Sequence, residues 1–155
     1  MARTSEQKLK ILYVKEFLEN FSDEQNPVST KEIIAYLEEK GIKAERKSIY
    51  DDIAALIHYG LDIIKVGGQG GGYYLGQRPL ELAELKILAD AVWSSRFLTV
   101  RKTSRLINKL ASLLPKSQRK ELSHRVHVMS RLKSSNEQIY YNIDSIQQAL
   151  HSQCP

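Results

Sequence analysis

Apolar positions in the first sixty residues recur at helical spacing in three blocks, each closed by polar residues or glycine. From about Ser5 to Phe21, Ile11, Val14, Leu18 and Phe21 form one stripe, and Leu9, Tyr13 and Phe17 widen it. Thr4-Ser5-Glu6-Gln7 supplies a cap, and so broad a band suits a helix that supports a trihelical core. A polar connector follows over Ser22–Pro27, where Pro27 steers Asn26 away from helical backbone. The second helix, about Thr30 to Lys40, is predicted to bury Ile33, Ile34 and Leu37. Its start carries a capping box, Ser29-Thr30-Lys31-Glu32, with Val28 and Ile33 placed for a hydrophobic staple, and Gly41 supplies a left-handed stop. The third, about Arg46 to Tyr59, sets Ile49, Ile53, Leu56 and Ile57 on one face and Arg46, Lys47, Tyr50 and Asp51 on the other.

After Tyr59-Gly60 the period changes. Asp62–Val66 and Tyr73–Leu75 read as strands around the glycine tip Gly67-Gly68-Gln69-Gly70-Gly71-Gly72, a turn that calls for positive φ. The tip is not a phosphate-binding loop, since no Lys-Ser/Thr follows it and no G-x-G-x-x-G register fits. Three helices and a hairpin in this order predict a winged helix-turn-helix, and the fold class is mainly α with a small β-hairpin. Gln77-Arg78-Pro79 marks a boundary, dividing the chain into residues 1–78 and an α-helical connector over 79–155. In the connector, Leu82–Ser95 presents Leu85, Leu88, Ala89 and Val92, with Trp93 to the side. A helix from about Thr99 to Leu114 presents Leu106, Leu110 and Leu113, while Arg101, Lys102, Arg105 and Lys109 line other faces. Ser117–Leu122 is a short polar helix, Val126-His127-Val128 alternates like the start of a strand, and Asn136–Leu150 is a helix burying Ile139, Ile143, Ile146 and Leu150.

With 155 residues, 42% of them apolar, the chain holds one ordinary domain or two small ones. No apolar run is long enough to span a bilayer and the start lacks a signal-peptide pattern, so a cytoplasmic protein without membrane contact is expected. The single cysteine, Cys154, is expected to be a terminal thiol rather than a nucleophile. Glu121, His124 and His127 are spaced three apart, but without a second cluster they make a poor metal set. No catalytic constellation stands out, so no enzyme activity, metal or cofactor is expected. The net charge of +5 is unevenly spread. Residues 1–80 hold 11 Lys and Arg against 12 Asp and Glu, a net −1, whereas residues 81–155 hold 12 against 6, a net +6. The half that resembles a DNA reader is not the basic half.

Several collinear strings resemble the WYL-domain bacterial transcriptional regulators, whose N-terminal domain is close to the DeoR-type winged helix. They are Ser48-Ile49-Tyr50-Asp51-Asp52-Ile53, the hairpin ending Gly72-Tyr73-Tyr74-Leu75, Glu84–Ala91, Ser94–Thr99 and Tyr140-Tyr141-Asn142-Ile143-Asp144. The resemblance implies a homodimeric, sequence-specific reader of double-stranded DNA whose connector helps it dimerise. No Trp-Tyr-Leu string occurs, and Pro155 falls close to where the effector-sensing domain would begin, so ligand sensing is not expected of this chain.

The expected DNA contacts are Arg46, Lys47 and Ser48 in the first turn of the reading helix, with Tyr50 beside them. Arg pairs with guanine in two-point fashion, Lys and Ser take phosphate or base, and Tyr stacks on sugar or meets a thymine methyl. Lys43, Lys65 and Gln69 at the wing tip complete the set. Glu45 stands where the family often has a small capping residue, and a salt bridge to Lys43 or Lys47 is the expected remedy. For Asp51 and Asp52 a helix-to-helix bond or a solvated face is favoured over a base contact. The alternative function is a protein-interaction winged helix that forms mixed dimers with a full-length regulator and antagonises it.

Overall fold

The computed structural model describes residues 5–68, 71–123, 136 and 138–151. The chain forms two units: residues 1–79 with 115–117, and residues 80–114 with 118–155. It is mainly helical with one small antiparallel hairpin.

In the first unit, α1 (Ser5–Phe21), α2 (Thr30–Glu39) and α3 (Arg46–Tyr59) pack pairwise, as their apolar stripes require. The core takes Val14, Phe17 and Leu18 from α1, Ile33 and Leu37 from α2, and Ile49, Ile53 and Leu56 from α3. Ile57, predicted to lie on the buried face of α3, is instead 49% exposed, while its neighbour Leu56 is buried. The capping box forms on α2: Glu32 N donates to Ser29 Oγ, and Ser29 N donates back to the Glu32 carboxylate at 2.7 Å. Gly60 ends α3 at φ 110°, a conformation that a Cβ would strain.

β1 (Ile63–Lys65) and β2 (Tyr73–Leu75) pair antiparallel, with Ile63 opposite Leu75 and Lys65 opposite Tyr73; Ile63 and Leu75 join the core. Val28, in the connector before α2, adds a bridge to Tyr73 through two backbone hydrogen bonds, 2.9 and 2.8 Å. Gly72 sits at this crossing: a Cβ there would meet the Val28 carbonyl oxygen at 2.3 Å, so close approach of backbones demands this glycine. The buried Ser22 hydroxyl donates to Leu18 O at 2.7 Å and accepts from Leu75 N at 3.1 Å, fastening the end of α1 to the wing. Asp23, read from sequence as part of a plain polar connector, accepts from Gln25 N, Asn26 N and Asn26 Nδ2 on one oxygen and from Ser117 Oγ on the other. Burial works to raise its pKa, and these hydrogen bonds outweigh it, holding the carboxyl below the ordinary aspartate range.

The second unit has its own core of Leu85, Ala89 and Trp93 from α4 (Leu82–Ser94), Ile107 and Ala111 from α5 (Val100–Ala111), then Leu114, and Leu122 from α6 (Arg119–Ser123). Two expectations change here. Trp93 is a core residue rather than a lateral one, and Leu88 is 40% exposed. On α5 the buried line is Thr103, Ile107 and Ala111, one position round from Leu106 and Leu110, and Leu113 is 44% exposed. Both lines have helical spacing, and the buried one joins the cluster that holds Leu85, Ala89 and Trp93. Thr99 caps α5 by accepting from Lys102 N at 3.2 Å.

α7 (Gln138–His151) departs furthest from expectation, since Ile146 is 59% and Leu150 75% exposed and only Ile139 and Ile143 are half-buried. The strand expected at Val126–Val128, the pair His124 and His127, and Cys154 lie outside the described residues. Among the described residues no helix is long and apolar enough to cross a membrane, and no group of acid, His or Cys side chains is arranged to hold a metal.

Candidate nucleic-acid interface

The inner face of α3 is locked into the core by Ile49, Ile53 and Leu56, so its outer face is held at a fixed rotation. A second lock is polar. Lys10 on α1, only 7% exposed, reaches α3 to donate to Ser48 Oγ and to pair with Asp52 Oδ2 at 2.9 Å. Asp52 thus makes the expected helix-to-helix bond. Ser48, expected among the DNA contacts, is half-buried and faces Lys10, set apart from the exposed cations of its own turn. Lys10 was missed as a site residue because a lysine on an amphipathic helix reads as solvated; nothing local marks it as the partner of residues some forty positions away.

Arg46 and Lys47 open α3 and are exposed. Arg46 Nε donates to the Tyr50 hydroxyl at 2.7 Å, and its guanidinium carbon lies 5.8 Å from the Tyr50 ring centroid. The remaining guanidinium donors are therefore presented on an ordered arm rather than a free one. Desolvation tends to raise the Tyr50 pKa, but hydrogen bonds with Thr30 and Arg46 and the charges of Arg46 and Lys65 prevail, so the phenol is more acidic than an ordinary tyrosine. These influences put the start of α2, the outer face of α3 and the wing strand β1 around one hydroxyl. Thr30, which sequence reading gave no role beyond the helix start, is buried and supports it.

In front of the first turn of α3 is an open cavity of about 480 Å³ lined by Lys43, Ala44, Glu45 and Ser48. Glu45 is the N-cap residue and makes no side-chain cap hydrogen bond. The salt bridge expected from it to Lys43 or Lys47 does not form among the described residues. The first-turn amides of α3 therefore have no capping side chain at Glu45, at the positive end of the helix dipole. Lys43, Arg46, Lys47 and Lys65 are all exposed, and none joins an ion pair among the described residues. Gln69, the expected reader at the wing tip, lies outside the described residues.

Residues 8–68 match the family model of the FokI D3 domain. That domain is a DNA-binding winged-helix-like domain. The matched span, about two-fifths of the chain, runs from within α1 through α2, α3 and β1 to the start of the glycine tip. It thus takes in Lys10, Lys43, the first turn of α3, Tyr50 and Lys65, and leaves β2 and the second unit outside. The family matched is not that of the WYL regulators. No curated protein and no solved structure matches the chain.

Proposed function

We propose that the protein is a sequence-specific double-stranded DNA-binding regulator of transcription, working as a homodimer. In this reading α3 enters the major groove by its N-terminal end, and the hairpin meets the backbone or the minor groove. The observation that carries it is the first turn of α3: two exposed cations, one ordered by a tyrosine, above uncapped amides and an open cavity, on a helix whose opposite face is fixed by the core. The match of residues 8–68 to the FokI D3 domain supports DNA as the partner. The WYL-like strings support a regulator and a dimer.

Arg46 takes the base-reading role because its free guanidinium edge offers two parallel donors, the geometry that guanine accepts. Lys47, which joins no ion pair among the described residues, takes phosphate. Fluorescence anisotropy with a duplex from the protein's own upstream region and a scrambled duplex tests this. Arg46→Ala is expected to cost about 1–3 kcal/mol and to relax specificity, whereas Lys47→Ala weakens both duplexes alike and flattens the salt dependence by about one contact. Binding unchanged by either substitution would remove α3 as the reading helix. The second reading is the protein-interaction winged helix that forms mixed dimers with a regulator, favoured by the net −1 charge of residues 1–80. Absence of binding to either duplex selects it.

A further inference from the structure

A regular row of positive charge, in no ion pair among the described residues, lies in the second unit, on α5. Its core face is Thr103, Ile107 and Ala111, all buried. By the 100° step of a helix, Arg101, Arg105, Asn108, Lys109 and Ser112 fall on the opposite side, and all five are exposed. The helix contains no Asp or Glu. Arg101, Arg105 and Lys109 recur at intervals of four residues, about 6 Å of rise, and none is in an ion pair among the described residues. By contrast, Lys86 on α4 is neutralised by Glu121 at 2.6 Å.

This arrangement works against the helix that carries it. Arg101 and Lys102 occupy the first turn, where the helix dipole favours acids and disfavours cations. Arg101 with Arg105, and Arg105 with Lys109, are like-charge neighbours at i, i+4, which also destabilises. A regular row of cations in no ion pair among the described residues, flanked by the exposed amide of Asn108, complements a polyanion of regular spacing. A membrane surface fits less well, because the apolar side of α5 is already consumed by the core and cannot enter a bilayer.

We infer that the outer face of α5 is a second DNA-contacting surface, in which Arg101, Arg105 and Lys109 bind backbone phosphates of the duplex. It rests on the DNA-binding reading above and adds affinity without sequence preference. It also answers the charge imbalance, since the winged-helix half is near neutral and the second half carries +6.

The test is the salt dependence of duplex affinity for the full chain, the triple variant Arg101→Gln/Arg105→Gln/Lys109→Gln, Lys86→Gln and Arg46→Ala. Three lost phosphate contacts make the slope of log affinity against log salt shallower by about 0.9 each, roughly 2.7 in all. Over a fourfold rise in salt the triple variant then loses about 40-fold less affinity than the parent. Its preference for the native over the scrambled duplex stays unchanged, and so does the slope of Lys86→Gln. Gln is a good helix former and relieves the repulsion, so the triple variant should melt no lower than the parent. A folded triple variant with the parental slope overturns the inference while leaving the α3 reading intact. Equal flattening by Lys86→Gln also overturns it, showing general charge rather than contact. If Arg46→Ala changes nothing while the triple variant flattens the slope, the α5 surface stands and the α3 reading falls. Loss of adhesion to vesicles of equal phosphatidylserine and phosphatidylcholine, with DNA slope unaltered, would reassign the face to a membrane.

Discussion

Lys10 shows how much of the reading face depends on one buried side chain outside it. Its ammonium offsets the Asp52 carboxylate, whose side chain is only 15% exposed. Removing the cation strands that charge, and breaking such a pair costs about 3 kcal/mol, the lower end of the usual range because Asp52 keeps some solvent. Lys10→Met should therefore lower stability by about 3 kcal/mol in urea unfolding, and Asp52→Asn in the same chain should recover much of the loss. An equal loss with Asp52→Asn present would show that the lysine acts through packing alone. Sequence reading identified Arg46, Lys47 and Tyr50 on the outer face because helical spacing alone places them there. It could not separate Ser48 from them, since what turns Ser48 inward is a partner from α1, and a contact between distant positions leaves no mark in local periodicity.

At the scale of elements, the boundaries of α2, α3 and the hairpin were legible because capping and glycine signals act within a few residues: Ser29 and Glu32 for α2, Gly60 for α3, Gly72 for the wing. The buried line of α5 was not, because two lines one residue apart fit the period equally and the choice falls to the neighbouring helix. The start of α3 carries a conflict that sequence also exposes. Glu45 holds the N-cap position without capping, and its charge stands at the cavity where phosphate would approach. Glu45→Ser restores the missing cap, worth about 0.5–2 kcal/mol, and removes the like charge. Stability and duplex affinity should rise together, read by thermal melting and anisotropy. Greater stability with weaker binding would mean that Glu45 accepts a hydrogen bond from a base, and the assignment of base reading to Arg46 alone would fail.

For the whole molecule, the exposed stripe of α7 bears on the proposed homodimer. Ile139, Ile143, Ile146 and Leu150 are spaced four, three and four, the seam of a two-stranded coil, and Asn142, Gln147 and Ala149 beside it carry no charge to oppose an identical copy. A 14-residue helix is marginal by itself in water, so leaving Ile146 and Leu150 at 59% and 75% exposure is unfavourable unless another surface covers them. Pairing of two such helices puts the seam out of water and gives a two-fold particle matched to two half-sites. Ile146→Asp places a charge in the middle of that seam and should shift sedimentation from dimer to monomer at micromolar concentration. The winged-helix unit has its own core of Val14, Leu18, Ile33, Leu37, Ile49 and Ile53, so its fold should survive the change. Affinity for a single half-site should then be kept, while affinity for a paired site should fall. A parent that already sediments as a monomer on and off DNA would discard the dimer and leave α3 reading one site alone.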